Sequence, residues 1–185
     1  MVVTHRLLLF GVSGVGKTTA CRSYTLRHAN VLCLNAGSLL SAASHCEANE
    51  LRSSSSDAII RRQFFLADAL DRQLRGCNAE LVIIDGHAII DNNRELVRVP
   101  VEVVQSLKPH GLLLLEASVS DIFHRRLERK QCPYRSELEL SLEMEQERQA
   151  VESYANELGL PFEKACSTKG FELDAIVQAI RPRLG

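Results

Sequence analysis

Four short stretches of the chain are largely apolar, with polarity changing abruptly at their ends, and a fifth, near the C-terminus, is mixed. Residues 6–10 read RLLLF, residues 30–35 NVLCLN, residues 81–84 LVII with Asp85 following, residues 112–115 LLLL with Glu116 following, and residues 162–165 FEKA. The strongest of these show no alternation of apolar and polar positions, which predicts strands covered on both faces, as in a parallel sheet. Between them the apolar positions recur at helical spacing. Residues 19–28 form one such segment. In residues 57–75, Ile59, Ile60, Phe64, Leu66, Ala67, Leu70 and Leu74 lie on one side, Ser56 or Asp57 can cap the start, and Gly76 stops the run. Pro100 opens a short helix over 101–107. A further helix starts at Ser120 or Asp121 and carries Ile122, Phe123 and Leu127. Residues 137–158 form a long helix whose acidic side reads as solvated, and residues 173–184 a last amphipathic one. Residues 38–56 read as a short helix and a mobile, serine-rich loop, and residues 88–98 as a polar loop. Strands alternating with helices predict one α/β domain over residues 1–185, a three-layer sandwich with a five-stranded parallel sheet and right-handed crossovers.

Directly after the first strand comes Gly11-Val12-Ser13-Gly14-Val15-Gly16-Lys17-Thr18, a full match to the phosphate-binding loop pattern G-x-x-x-x-G-K-[ST]. Glycines let the backbone N–H groups close around phosphate oxygens, and the following helix offers its positive end. Lys17 is placed to reach the β- and γ-phosphates of ATP, and the Thr18 hydroxyl to ligate Mg²⁺. The expected nucleotide contacts are Gly11, Ser13, Gly14, Val15, Gly16, Lys17, Thr18 and Thr19. With this loop after strand one, the domain is expected to be a P-loop NTPase of kinase type.

Asp85 ends a buried strand at its carboxyl end, where open α/β sheets place their sites, and is expected to help hold Mg²⁺. His87, two residues on, either lines the cleft on the substrate side or fixes the loop. Arg125, Arg126, Arg129, Lys130 and Arg135 bring five cations into eleven residues. A solvated basic face would explain them; a lid over about 125–137, hinged near Pro133, explains them with a function, closing arginines over the phosphates.

Composition narrows the picture. Twenty-two basic and 23 acidic residues give a net charge of −1, which disfavours a nucleic-acid coat. No apolar run approaches membrane-spanning length and no leader pattern precedes the first strand, so a cytoplasmic protein is expected. The six cysteines form no C-x-x-C pair and read as thiols of a reducing compartment, not as a zinc site.

The phosphate loop, residues 82–87 (VIIDGH), Val99-Pro100 with its helix, residues 112–116 and the run from Arg125 to Arg135 together resemble the archaeal-type adenylate kinases and their nucleoside monophosphate kinase relatives. The resemblance implies ATP-dependent transfer to a nucleoside monophosphate, preferably AMP, with Mg²⁺, a short zinc-free lid and a homo-oligomer. It implies that Arg126 and Arg135 are lid arginines acting in catalysis beside Lys17 and Asp85, and that Arg61, in an acceptor-side segment over about 36–75, binds the monophosphate. The chain departs from that pattern at Gly86, where the family has Thr, at Ser136, where it has an acidic residue, and over residues 38–56. Two rivals follow from the residues alone: a kinase of a small-molecule or polynucleotide hydroxyl, with Asp85 or His87 as base, and a nucleotide-binding regulator with slow hydrolysis.

Overall fold

The computed structural model describes residues 4–44, 55–128, 135–168 and 170–183. Strands β1 (His5–Phe10), β2 (Val31–Asn35), β3 (Leu81–Asp85), β6 (Gly111–Glu116) and β7 (Phe162–Cys166) form one parallel sheet in the order β2-β3-β1-β6-β7. The two strands flanking the centre, β3 and β6, have almost no exposed surface, as their unbroken apolar runs require. Leu7 pairs with Ile83 on one side and Gly111 on the other, so β1 is the middle strand. The Leu81–Asp85 strand is placed between β1 and β2, so Asp85 lies alongside Leu9, at the end from which the phosphate loop departs. Two apolar cores form on the two faces. One gathers Leu8, Phe10, Val82, Ile84, Leu112 and Leu114 under residues such as Val103, Val151 and Tyr154; the other gathers Leu7, Leu9, Ile83, Leu113 and Leu115 under Tyr24, Ile122 and Val177. The alternation of odd and even strand positions between these cores is the period-2 geometry of a strand.

The helices are α1 (Lys17–Arg27), α2 (Ala36–Ser44), α3 (Ser56–Gln63), α4 (Leu66–Gln73), α5 (Val101–Ser106), α6 (Val119–Leu127), α7 (Glu137–Leu158) and α8 (Asp174–Ile180). Three expectations are corrected. Residues 57–75 are not one helix: the chain breaks at Phe64 and Phe65, both exposed, and α3 is capped by Ser55, whose hydroxyl accepts from the Ala58 N–H. Residues 88–98 are not an irregular loop: β4 (Ile89–Asp91) and β5 (Leu96–Arg98) form an antiparallel hairpin, closed by the Asn92 side chain accepting from the Arg94 and Glu95 N–H groups. Finally, α6 is capped by Ser118, not Ser120 or Asp121: the Ser118 hydroxyl accepts from the Asp121 N–H at 3.0 Å. Residues 45–54 of the expected short helix and loop over 38–56, and the expected hinge at Pro133, lie outside the described residues. Among the described residues, no helix is long and apolar enough to cross a membrane.

Candidate functional site

The phosphate loop leaves β1 through a passage only glycine can occupy. At Gly11 φ is +143°, and a Cβ there would lie 2.5 Å from the Leu115 carbonyl oxygen of β6. Gly16 is likewise left-handed, at φ +111°, and serves as the N-cap of α1. Both hold backbone conformations that residues with a side chain rarely adopt. Lys17 opens α1, but its side chain is buried and returns into the loop, where Nζ donates to the Gly11 carbonyl. Nζ also lies 3.8 Å from Asp85 Oδ1. Burial pushes the Lys17 ammonium below its usual pKa; Asp85 and Glu147 pull the other way.

Asp85 is buried at the end of β3. Its Oδ2 accepts from the Thr18 hydroxyl at 2.9 Å and from the Asn35 side-chain amide at 3.3 Å. A hydroxyl and a carboxylate side by side at the mouth of a phosphate loop form a hard-oxygen pair. Such a pair suits Mg²⁺, which keeps several waters and takes few protein ligands. These residue types fit the ion that the loop implies.

Arg126 is set into the protein. Its guanidinium forks onto Glu143, Nη1 and Nη2 each 2.8 Å from a carboxylate oxygen, and Nε donates to the Ser13 carbonyl at 2.8 Å. Both side chains are about 8% exposed, so Arg126, expected as a lid arginine, is here bonded to the loop it would act upon. Its Cγ and Ile122 fill the space where a Gly14 Cβ would go. Arg125 lies on the opposite flank of the loop and donates to the Val15 carbonyl at 3.0 Å. Arg135 is held by Asp91 of the hairpin, at 2.6 and 3.0 Å, and by Glu139 one turn into α7. Residues 129–134 of the expected lid lie outside the described residues.

Two cavities flank the loop. One, of about 270 Å³, runs between β3, α2, α3 and the hairpin; Phe10, Leu40, Ile59 and Val103 contribute to its apolar floor, and Ser13, Asp85, His87, Asp91, Arg126 and Glu143 are its polar lining nearest the loop. The other, of about 410 Å³, is lined by Gly14, Gly16, Thr19, Arg125, Ser167 and Phe171. Arg61 lines neither and is exposed on α3, whose inward side presents Ile59 and Gln63 to the first cavity. The structure thus brings Lys17, Thr18, Asp85, Arg126 and His87 to one place and leaves Arg61 outside it.

Two buried carboxylates beside the loop are absent from the sequence-based expectations. The acidic side of α7 is not all solvated: Glu143 and Glu147 are buried, Glu143 against Arg126 and Glu147 against backbone. A signal was present. Leu140, Glu143, Glu147, Val151 and Tyr154 follow spacings of three and four, so both glutamates sit within the helix's apolar stripe.

The same architecture occurs in known proteins. A family model described as an AAA domain matches residues 10–141, from the last residue of β1 into α7. The chain belongs to this AAA domain family. Among solved structures it is similar to the tunicamycin resistance protein of Deinococcus radiodurans, with a TM-score of 0.61, 16% identity and 98% and 96% of the two chains covered. It is also similar to a sugar kinase from Janibacter sp. HTCC2649, with a TM-score of 0.60, 15% identity and 98% of each chain covered. A third is the shikimate kinase of Bacteroides thetaiotaomicron, with a TM-score of 0.55, 19% identity and 96% of each chain covered. Identities this low speak for a shared fold, here the P-loop kinase fold. No curated protein sequence matches the chain.

Proposed function

We propose that this AAA domain chain is a phosphotransferase that moves the γ-phosphoryl group of Mg-ATP to a small-molecule acceptor. The observation that carries this reading is the pair of cavities. They meet at the phosphate loop and share no lining residue, Gly14 and Gly16 facing one and Ser13 the other. A protein that only binds or hydrolyses a nucleotide needs the donor side alone. A second concave site with Asp85 and Arg126 at its mouth, opening on the other flank of the loop, is what transfer requires.

In this reading the donor nucleotide lies on the side of Thr19, Arg125 and Ser167, with its phosphates over the loop. Lys17 exchanges its Gly11 carbonyl for the β- and γ-phosphates, and the Thr18–Asp85 pair holds Mg²⁺, which supplies charge neutralisation when bound. Loop amides after Gly11, whose own N–H is taken by a buried carboxylate, fix the phosphate chain, so little beyond alignment and charge balance is asked of the protein. The resemblance to archaeal-type adenylate kinases favours a nucleoside monophosphate as acceptor, AMP first. Its phosphate is already ionised and needs no base.

One observation favours a second reading, a hydroxyl acceptor. Three carboxylates, those of Asp85, Asp91 and Glu143, line the acceptor cavity, and the guanidinium of Arg126 is already forked onto one of them. Such a lining suits a neutral acceptor better than a dianion, and in this reading Asp85 serves as the base for the hydroxyl proton. A product assay with Mg-ATP and two panels, nucleoside monophosphates and polyhydroxylated small molecules, tests both readings. ADP formation from AMP selects the first. A phosphorylated hydroxyl compound selects the second. ATP turnover that no acceptor alters counts against transfer altogether.

A further inference from the structure

Glu147 is 1% exposed in the middle of α7 and takes part in none of the roles above. One of its oxygens, Oε1, accepts from the Gly11 N–H at 2.9 Å and from the Ala88 N–H at 3.0 Å; the other, Oε2, accepts from the Ile89 N–H at 2.7 Å. Gly11 is the first residue of the phosphate loop. Ala88 and Ile89 open the hairpin whose Ile89, Ile90 and Asp91 line the acceptor cavity. A single carboxylate therefore bonds the donor's cradle and the acceptor's wall, on segments 77 residues apart at their nearest (Gly11 to Ala88).

The residue type matters. Three buried N–H groups need three acceptor sites, and an ionised carboxylate supplies up to four without adding a donor. A glutamine has one oxygen, and its NH₂ would face one of the N–H donors. An apolar residue would leave all three unsatisfied. Burial pushes the Glu147 carboxyl up; Lys17 and the three N–H groups counter it.

We propose that Glu147 is a positioning residue that holds the phosphate loop and the acceptor wall in register, so that alignment of the two substrates depends on it while binding of the nucleotide does not. The proposal rests on the transfer reading above only for its kinetic part. A misplacement of about 1 Å costs on the order of a hundredfold in rate.

The test uses the full chain and Glu147→Leu, which removes the acceptor of all three N–H groups. Amide hydrogen exchange is measured first, without substrates. Exchange at Gly11, Ala88 and Ile89 is expected to rise together by tenfold or more while the β6 amides stay protected. Exchange unchanged at either segment overturns the proposal. With an acceptor that the wild type phosphorylates, kcat per folded molecule is expected to fall tenfold to a hundredfold, and affinity for a fluorescent ATP analogue to change less than threefold. An unchanged kcat, or a loss confined to analogue affinity, also overturns it. Should the variant not fold, the wild type decides: a non-hydrolysable ATP analogue that protects Gly11 is expected to slow exchange at Ala88 and Ile89 as well, and Ala88 and Ile89 left unaffected would end the idea. If no acceptor is ever found, the transfer reading fails alone, and the substrate-free exchange still tests the strut.

Discussion

The lysine of the phosphate loop is stored, not free. Lys17 has its ammonium on the Gly11 carbonyl and near Asp85, and in the proposed transfer phosphates replace those partners. Lys17→Ala is therefore expected to keep the fold, shown by an unchanged circular dichroism spectrum, and to lower turnover by about a hundredfold or more, the scale of losing one preorganised charge contact. Near wild-type turnover would remove Lys17 from the mechanism. Arg126 calls for a different expectation. Its partner Glu143 is as buried as it is, so Arg126→Met strands a carboxylate in the interior. Breaking such a pair costs about 3–5 kcal/mol, whereas replacing both partners by apolar residues is often close to neutral. Urea unfolding should show a large loss for Arg126→Met and a smaller one for Arg126→Met combined with Glu143→Leu. Equal losses would mean that the pair contributes chiefly through packing.

At the scale of elements, legibility followed the strength of the local signal. Runs such as LVIID and LLLLE are too apolar and too short for anything but buried strands, and both are found there. The phosphate loop was legible because its glycines answer to sterics that no other residue meets, as the 2.5 Å approach at Gly11 shows. The hairpin was not, since three residues per strand carry no readable period, and its closure depends on one Asn92 side chain. The α3–α4 break was hidden because Phe64 continues the apolar pattern while standing exposed. The inward glutamates of α7 were hidden for a physical reason: an acidic residue on a helix normally faces water, and these two are retained only by partners over 15 residues away in sequence, Arg126 for one and Gly11 for the other. The start of α7 shows the link between element and latch. Ser136 and Glu139 form a reciprocal capping box, and Arg135 just before it grips Asp91 of the hairpin. Burial works against the Asp91 carboxylate, but the Arg135 guanidinium and the Asn93 N–H outweigh it and hold its pKa below the usual value. A carboxyl depressed in the folded state contributes stability above its unfolded pKa, about 4, and loses it as pH falls through the folded value. The thermal stability of wild type over Asp91→Asn should thus be constant from about pH 5 to 7 and shrink below about pH 4. A gap that widens on acidification would contradict the latch.

At the scale of the whole molecule, the sheet order is what would separate the two substrates of the proposed transfer. Because β1 is central, its loop emerges between β3, which carries Asp85 and leads to the hairpin, and β6, after which come α6 and the arginines. Donor and acceptor are assigned to opposite flanks of one loop, so each side should be separately removable. Ala36, at the start of α2, lines the acceptor cavity beside Gly86, and its Cβ lies 3.5 Å from where a Gly86 Cβ would be. A phenylalanine there would take up part of the cavity that Ala36 lines. On the far flank Ser167 lines the donor cavity, its hydroxyl near Gly16, and a tryptophan there would fill the space beside the loop. Ala36→Phe should raise the acceptor KM at least tenfold with ATP-analogue affinity intact; Ser167→Trp should weaken the analogue by a similar factor with the acceptor KM less affected. Isothermal titration with the analogue and initial rates against acceptor separate the two. Should both variants weaken the nucleotide equally, the cavities belong to a single ligand, and the division of labour read from the sheet order would give way to one extended nucleotide site.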